Sequence, residues 1–268
     1  AYTFQGLTGN ELVNGEPVLY GTNLTVPYFN EDFLLKNNSK NAKLGKVYDN
    51  VSFPFTKSKN VFNGGNEDSV EYWYFDSHKT TLYLKQDKDK GYFLQKSNDQ
   101  SKSRNLKSNS NYQDGAETYG FFPFNEHSQN KQASTYNYGF GAKLQFEFTM
   151  TDDGQIYGTD GKNKVPIKFF FSGDDDVWVY IDGKLALDVG GDHGKASGLL
   201  EFGKNSEGEL VYTPYVSDVK ASNAQQMYDS ATGCKSINYL DANNKITFNY
   251  RGEEKSITTG THTLTMYY

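Results

Sequence analysis

Three consecutive carboxylates, Asp174, Asp175 and Asp176, stand between the apolar runs Phe169-Phe170-Phe171 and Val177-Trp178-Val179-Tyr180-Ile181. Aspartate is disfavoured in strands and costly to desolvate, so a run of it inside strand-forming sequence calls for a compensating partner. A hard divalent cation is one such partner, because Ca²⁺ gathers about six to eight oxygens from carboxylates, backbone carbonyls and water. A solvated turn held by local Asx hydrogen bonds is the other, and residue type alone leaves both open. In an extended chain neighbouring side chains point to opposite faces, so Asp174 and Asp175 can grip one ion only if the peptide between them is cis or tightly turned. Downstream, Asp188-Val-Gly-Gly-Asp-His-Gly194 brings further carboxylates on a glycine-rich return. That return should lie near the triple aspartate or at the same rim of the sheet. The candidate metal ligands are therefore Asp174, Asp175, Asp176, Asp188 and Asp192.

The elements that must hold these residues are strands. Lys143–Met150 alternates strictly, with Leu144, Phe146, Phe148 and Met150 on one face, which predicts a half-buried strand. Val165, Ile167, Phe169 and Phe171 repeat the pattern, and so does the chain end, with His262, Leu264, Met266 and Tyr268 expected inward and Thr261, Thr263 and Thr265 outward. Asp182-Gly183, flanked by Val177–Ile181 and Leu185–Leu187, predicts a hairpin on a type I′ turn. Further strands are expected at Tyr72–Phe75, Thr81–Leu84, Tyr92–Gln95, Leu210–Val216 and Ile246–Tyr250, and one short helix at Ser217–Ser230. Asn37–Lys46, Lys96–Gly115 and Glu126–Tyr136 are polar and read as loops. The whole predicts an all-β chain, an antiparallel β-sandwich with long loop insertions, forming one domain over residues 1–268.

Composition excludes several classes. The 268 residues carry 27 Lys and Arg against 33 Asp and Glu, a net charge of −6 that argues against nucleic acid as a partner. No apolar run approaches the roughly 20 residues of a membrane-spanning helix, so membrane insertion is not expected. A single Cys234 excludes an intrachain disulfide framework and cysteine-rich metal sites. No phosphate-binding loop, zinc-protease helix or EF-hand loop occurs, the residues around Cys234 form no nucleophile motif, and no acid pair stands out for glycoside hydrolysis. The chain is expected not to be an enzyme. Its 21 Tyr and 19 Phe predict an aromatic core.

The block from Gly173 to Gly194, reading GDDDVWVYIDGKLALDVGGDHG, resembles the signature of the fibro-slime domain, a branch of the protective-antigen-domain superfamily of β-sandwich modules. Gly120-Phe-Phe-Pro-Phe124, Asn137-Tyr-Gly-Phe-Gly141 and Gly260-Thr-His-Thr-Leu-Thr-Met-Tyr267 extend the likeness over residues 119–268, with residues 1–118 matching loosely. The resemblance implies a secreted or wall-attached bacterial surface module. In lectin members of that superfamily a cis Asp-Asp pair holds Ca²⁺ and the ion binds sugar hydroxyls. Matching Tyr180-Ile-Asp-Gly183 to the family's strand places the pair on Asp174 and Asp175, while Asp176 stands where many relatives have Gly and is either a third ligand or a neighbouring acceptor. A glycan is then the expected partner of a monomeric module. The loop residues Gly191 and His193 and the indole of Trp178 are the candidate ligand contacts, the indole set against ordinary sheet packing. The competing expectation is a stalk or protein-binding module in which metal only stiffens the loops.

Overall fold

The computed structural model describes residues 2–18, 48–59, 71–77, 80–89, 91–97, 121–124, 140–174, 176–191, 193–219, 235–238 and 245–268. Internal contacts divide the chain into two compact units: Ala1–Asn30, Lys59–Tyr72 and Gly141–Tyr268 make the first, and Glu31–Ser58 with Trp73–Phe140 the second. Every regular element among the described residues is a strand. In chain order these begin with β1 (Thr56–Lys59), β2 (Glu71–Tyr74), β3 (Thr81–Asp87) and β4 (Gly91–Ser97). There follow β5 (Lys143–Met150), β6 (Gln155–Tyr157), β7 (Lys164–Pro166), β8 (Lys168–Gly173), β9 (Val177–Ile181), β10 (Lys184–Val189) and β11 (Ala196–Lys204). The last are β12 (Leu210–Val216), β13 (Lys235–Asn238), β14 (Lys245–Phe248), β15 (Tyr250–Arg251), β16 (Lys255–Ser256) and β17 (Gly260–Tyr267).

The first unit is a sandwich of two antiparallel sheets, ordered β10-β9-β17-β5 and β15-β12-β11-β8, with β16 also pairing β12. Alternate residues of each sheet meet in one core, Val177, Val179, Ile181, Leu187 and Val189 from the first against Leu200, Phe202, Tyr212 and Val216 from the second. Each such fully buried side chain stabilises by about 1.5–3 kcal/mol relative to exposure. The hairpin forms as expected, since Asp182 (φ 49°) and Gly183 (φ 79°) both take the left-handed conformation that a type I′ turn requires.

Three sequence expectations are corrected in this unit. Residues 164–171 are not one strand: the chain breaks at Pro166, which has no N–H to give a ladder, so β7 pairs β6 while β8 pairs β11. Strand β5 lies at a sheet edge and Phe146 stays 38 % exposed instead of entering the core. On β17, Thr265, expected outward, is 3 % exposed, and Tyr267 on the same face is 1 % exposed, because residues 2–18 cross the outer face of their sheet. The helix expected at Ser217–Ser230 falls from residue 220 onward outside the described residues, as do the polar stretches 37–46, 98–115 and 126–136.

The second unit has the antiparallel β3–β4 hairpin, with Leu84 opposite Leu94, and an aromatic interior. Tyr48 packs between Tyr92 and Phe124, Phe140 touches Phe124 and Phe121, and Phe121 leads to Phe53 and Phe75.

Candidate functional site

The triple aspartate and the glycine-rich return lie in two of the connections that cross between the sheets of the sandwich. Register fixes their placement. Gly173 at the end of β8 pairs with Ala196 at the start of β11, while Val177 at the start of β9 pairs with Val189 at the end of β10. The connection 174–176 thus runs from β8 to β9 and the connection 190–195 from β10 back to β11, and because β8 neighbours β11 and β9 neighbours β10, both cross between the sheets at one rim. Asp174 is exposed, and its carbonyl accepts a hydrogen bond from the Tyr268 hydroxyl at 2.8 Å, which ties the first crossover to the end of the chain. Asp176 is half-buried just before β9. Asp175 and Asp192, and with Asp175 the Asp174–Asp175 peptide bond, lie outside the described residues. Among the described residues no three His, Cys, Asp or Glu side chains converge as a metal group would require. Carboxylates and glycine carbonyls are nonetheless the oxygen donors that a hard cation takes.

Asp188, expected among the metal ligands, is placed differently. It sits opposite Trp178 in the β9–β10 ladder, and Trp178 donates its indole N–H to Oδ1 at 3.0 Å. The Gly6 backbone N–H donates to Oδ2 at 2.7 Å, and the Gly190 N–H also reaches the carboxylate. Burial pushes its pKa up to about 6, opposed by these N–H groups and by the charge of Lys255. A carboxylate ringed by N–H donors presents positive hydrogen to any approaching cation, so Asp188 acts as a clamp between the sandwich and residues 2–18. Lys255 donates to the Leu185 carbonyl at 2.5 Å, and burial lowers its pKa against the pull of Glu253 and Asp188.

The remaining candidates are also engaged by the protein itself. Trp178 is 2 % exposed, so its ring packs in the sheet and offers no surface for stacking. Gly191 has φ 108°, and a Cβ there would meet Phe4 Cδ2 at 2.7 Å and Phe4 N at 2.9 Å, so the position is reserved for the passage of residues 2–18. His193 is buried, with Nδ1 2.5 Å from the Gly194 carbonyl and Nε2 3.3 Å from that of Val189, and it staples the second crossover. His262 is a satisfied core residue: Nδ1 lies 2.5 Å from Asp182 Oδ2 and Nε2 2.8 Å from the Thr258 carbonyl. Burial works against both charges of that pair, yet the mutual hydrogen bond outweighs it, raising the His262 pKa and lowering that of Asp182.

Residues 2–18 form a feature that alternation in the strands does not announce. Phe4 bridges Gly190 and Glu11 bridges Lys184, both antiparallel, so the segment covers the edge of β10 that would otherwise be unpaired. It then crosses the sheet, where the Thr8 and Tyr180 hydroxyls meet at 2.6 Å and Tyr267 donates to the Gly15 carbonyl at 2.7 Å. Asn14 (φ 53°) and Gly15 (φ 78°) turn the segment back on itself. Two signals could have found it: the Asn14-Gly15 dipeptide, and the unbroken apolar run of β9, which marks a strand buried on both faces.

Fold and rim define an all-β sandwich with an aspartate-rich crossover at one rim and an N-terminal segment clamped along β10. No family model matches the chain, and no solved structure does. Short segments are similar to proteins of Dictyostelium discoideum: psiP at 41 % identity over 68 residues, 25 % of this chain and 7 % of that protein; psiO at 38 % over 60 residues, 22 % and 6 %; and psiH at 35 % over 75 residues, 28 % and 9 %. The chain thus spans under a tenth of the length of these curated relatives.

Proposed function

We propose that this chain is a calcium-dependent carbohydrate-binding module of a secreted or surface-attached protein, related to the fibro-slime branch of the protective-antigen-domain sandwiches. The observation that carries the reading is the register of the two crossovers, which runs Asp174–Asp176 beside the Gly190–Gly194 return at one rim. In this reading Asp174, Asp175, Asp176 and Asp192 supply the carboxylates, and Asp188 is excluded by its N–H partners. A bound Ca²⁺ would supply positive charge for two adjacent sugar hydroxyl oxygens. The chain's part is to hold the crossovers in place: Tyr268 anchors the Asp174 backbone, and His193 fixes the return beside it. A glycan array of the whole chain, read in millimolar calcium and again in EDTA, tests this. Binding present in calcium and lost in EDTA supports the reading. Binding that survives EDTA refutes the calcium bridge, and absence of glycan binding under both conditions favours the stalk-module alternative.

A further inference from the structure

Residues 3–6 are tied to both connections at the aspartate-rich rim. One tie is direct: the Phe4 N–H donates to the Gly190 carbonyl at 2.7 Å, and a Cβ on Gly191 would meet Phe4 and the Tyr2 carbonyl oxygen, so the segment packs flush on the start of the return. Just before it, Asp188 receives the Gln5 side-chain amide on its carbonyl at 2.9 Å and the Gly6 N–H on its carboxylate at 2.7 Å. The return is therefore held on both sides of position 192, by residues 2–6 at Gly190 and Gly191 and by the hydrogen bonds of His193 beyond. The other tie is a relay of hydroxyls. Thr3, fully buried, donates its hydroxyl to the Ser217 carbonyl at 3.1 Å and its N–H to the Asp218 carbonyl at 3.1 Å. The Ser217 hydroxyl accepts the Ser197 N–H at 2.8 Å, and the Ser197 hydroxyl donates to that of Ser172 at 2.8 Å, two residues before Asp174. Thr3, Ser197 and Ser217 are all buried, so withdrawing Thr3 would leave polar groups to be satisfied again inside the protein.

Carboxylates carried on two connections can share one ion only while the spacing of those connections is fixed, and groups behind the ligands set that spacing. We propose, resting on the preceding reading of the rim, that Thr3, Phe4 and Gly6 are positioning residues of the calcium site, so that docking of the N-terminal segment and calcium binding favour each other. Linkage makes this reciprocal: the factor by which docking tightens calcium is the factor by which calcium tightens docking, and couplings of this kind run from about 5- to 150-fold. A segment that merely covers the outer face of its sheet would show no such factor.

The test is residue-resolved amide exchange of the whole chain by NMR, in EDTA and in saturating calcium, with calcium binding read separately by calorimetry. The Phe4 and Gly6 amides, which exchange when the segment lifts, should slow about tenfold in calcium. The Glu209 amide, which donates to Asn205 Oδ1 at 2.9 Å in the turn at the opposite end of β11, should keep its rate, which separates coupling from general stabilisation. Gly6→Pro excludes the docked geometry, because Gly6 has φ 85° and gives its N–H to Asp188 whereas proline is locked near −65° with no N–H. Its calcium affinity should fall by the same factor of about ten. Loosening that leaves most molecules docked, as loss of one clamp hydrogen bond does, changes the apparent affinity little, because the docked fraction stays near one. The proposal is overturned if calcium binds the parent yet leaves Phe4 and Gly6 exchange unchanged, or if Gly6→Pro binds calcium as tightly as the parent. A parent that binds no calcium overturns the preceding reading and this one with it, a result calorimetry tells apart from loss of coupling alone.

Discussion

Asp188→Asn separates a clamp from an ion ligand. Burial raises the folded-state pKa of Asp188 from 3.8 to about 6. The folded state therefore binds this proton more tightly than the unfolded state, so the contribution of Asp188 to stability is greatest below the unfolded value and declines as pH rises towards 6. A shift of ~2 units at ~1.4 kcal/mol each makes the decline about 3 kcal/mol. Asn cannot titrate and brings a single acceptor to a place where Gly6, Trp178 and Gly190 all donate, so it carries a pH-independent penalty of roughly 1–3 kcal/mol. The stability gap between parent and variant should consequently narrow by roughly 2–2.5 kcal/mol from pH 4 to pH 7, while other titrations, including that of His262 with Asp182, cancel. Urea unfolding followed by Trp178 emission in a Trp73→Phe background measures this gap for the sandwich alone. A gap that stays constant, or widens as pH rises, would refute the claim that a buried, N–H-ringed carboxylate sits here.

Gly191→Ala places a methyl 2.7 Å from the Phe4 ring at φ 108°, so amide exchange at Phe4 and Gly6 should accelerate while the β9 and β17 amides keep their protection. Gly183→Val should lower the melting temperature by opposing the left-handed turn, whereas Asp182→Asn keeps the turn but loses the His262 pair. The His262 contribution is present below its ordinary pKa of 6.5 and fades as pH rises through the higher folded value, so Asp182→Asn should destabilise at pH 5–6 and much less at pH 9. Phe146→Ala, at an edge position 38 % exposed, should cost about 1 kcal/mol in urea unfolding, against roughly 2–5 kcal/mol for Leu200→Ala in the closed core.

The strands were legible because alternation and turn chemistry are local. Asp182-Gly183 specified its hairpin, and the neighbourhood of the triple aspartate and the glycine return followed from two strands folding back on themselves. What escaped was long-range. That Phe146 lies at an edge depends on sheet order, which no window around it contains. That Thr265 and Tyr267 are buried depends on residues 2–18, some 250 positions away. Asp188 and Asp192 looked equivalent as carboxylates beside glycines, yet the first faces N–H donors contributed by Gly6 and Trp178, and only the fold brings those donors to it.

The central claim is that Asp174–Asp176 and the adjoining return hold a calcium ion from which Asp188 is absent. Titration calorimetry of calcium into the whole chain, the Asp175→Asn variant and the Asp188→Asn variant tests it directly. The account predicts one binding site in the parent, affinity weakened at least about tenfold in Asp175→Asn because carboxylate number governs Ca²⁺ affinity, and affinity unchanged in Asp188→Asn. No calcium binding by the parent, or equal affinity in Asp175→Asn, would contradict it.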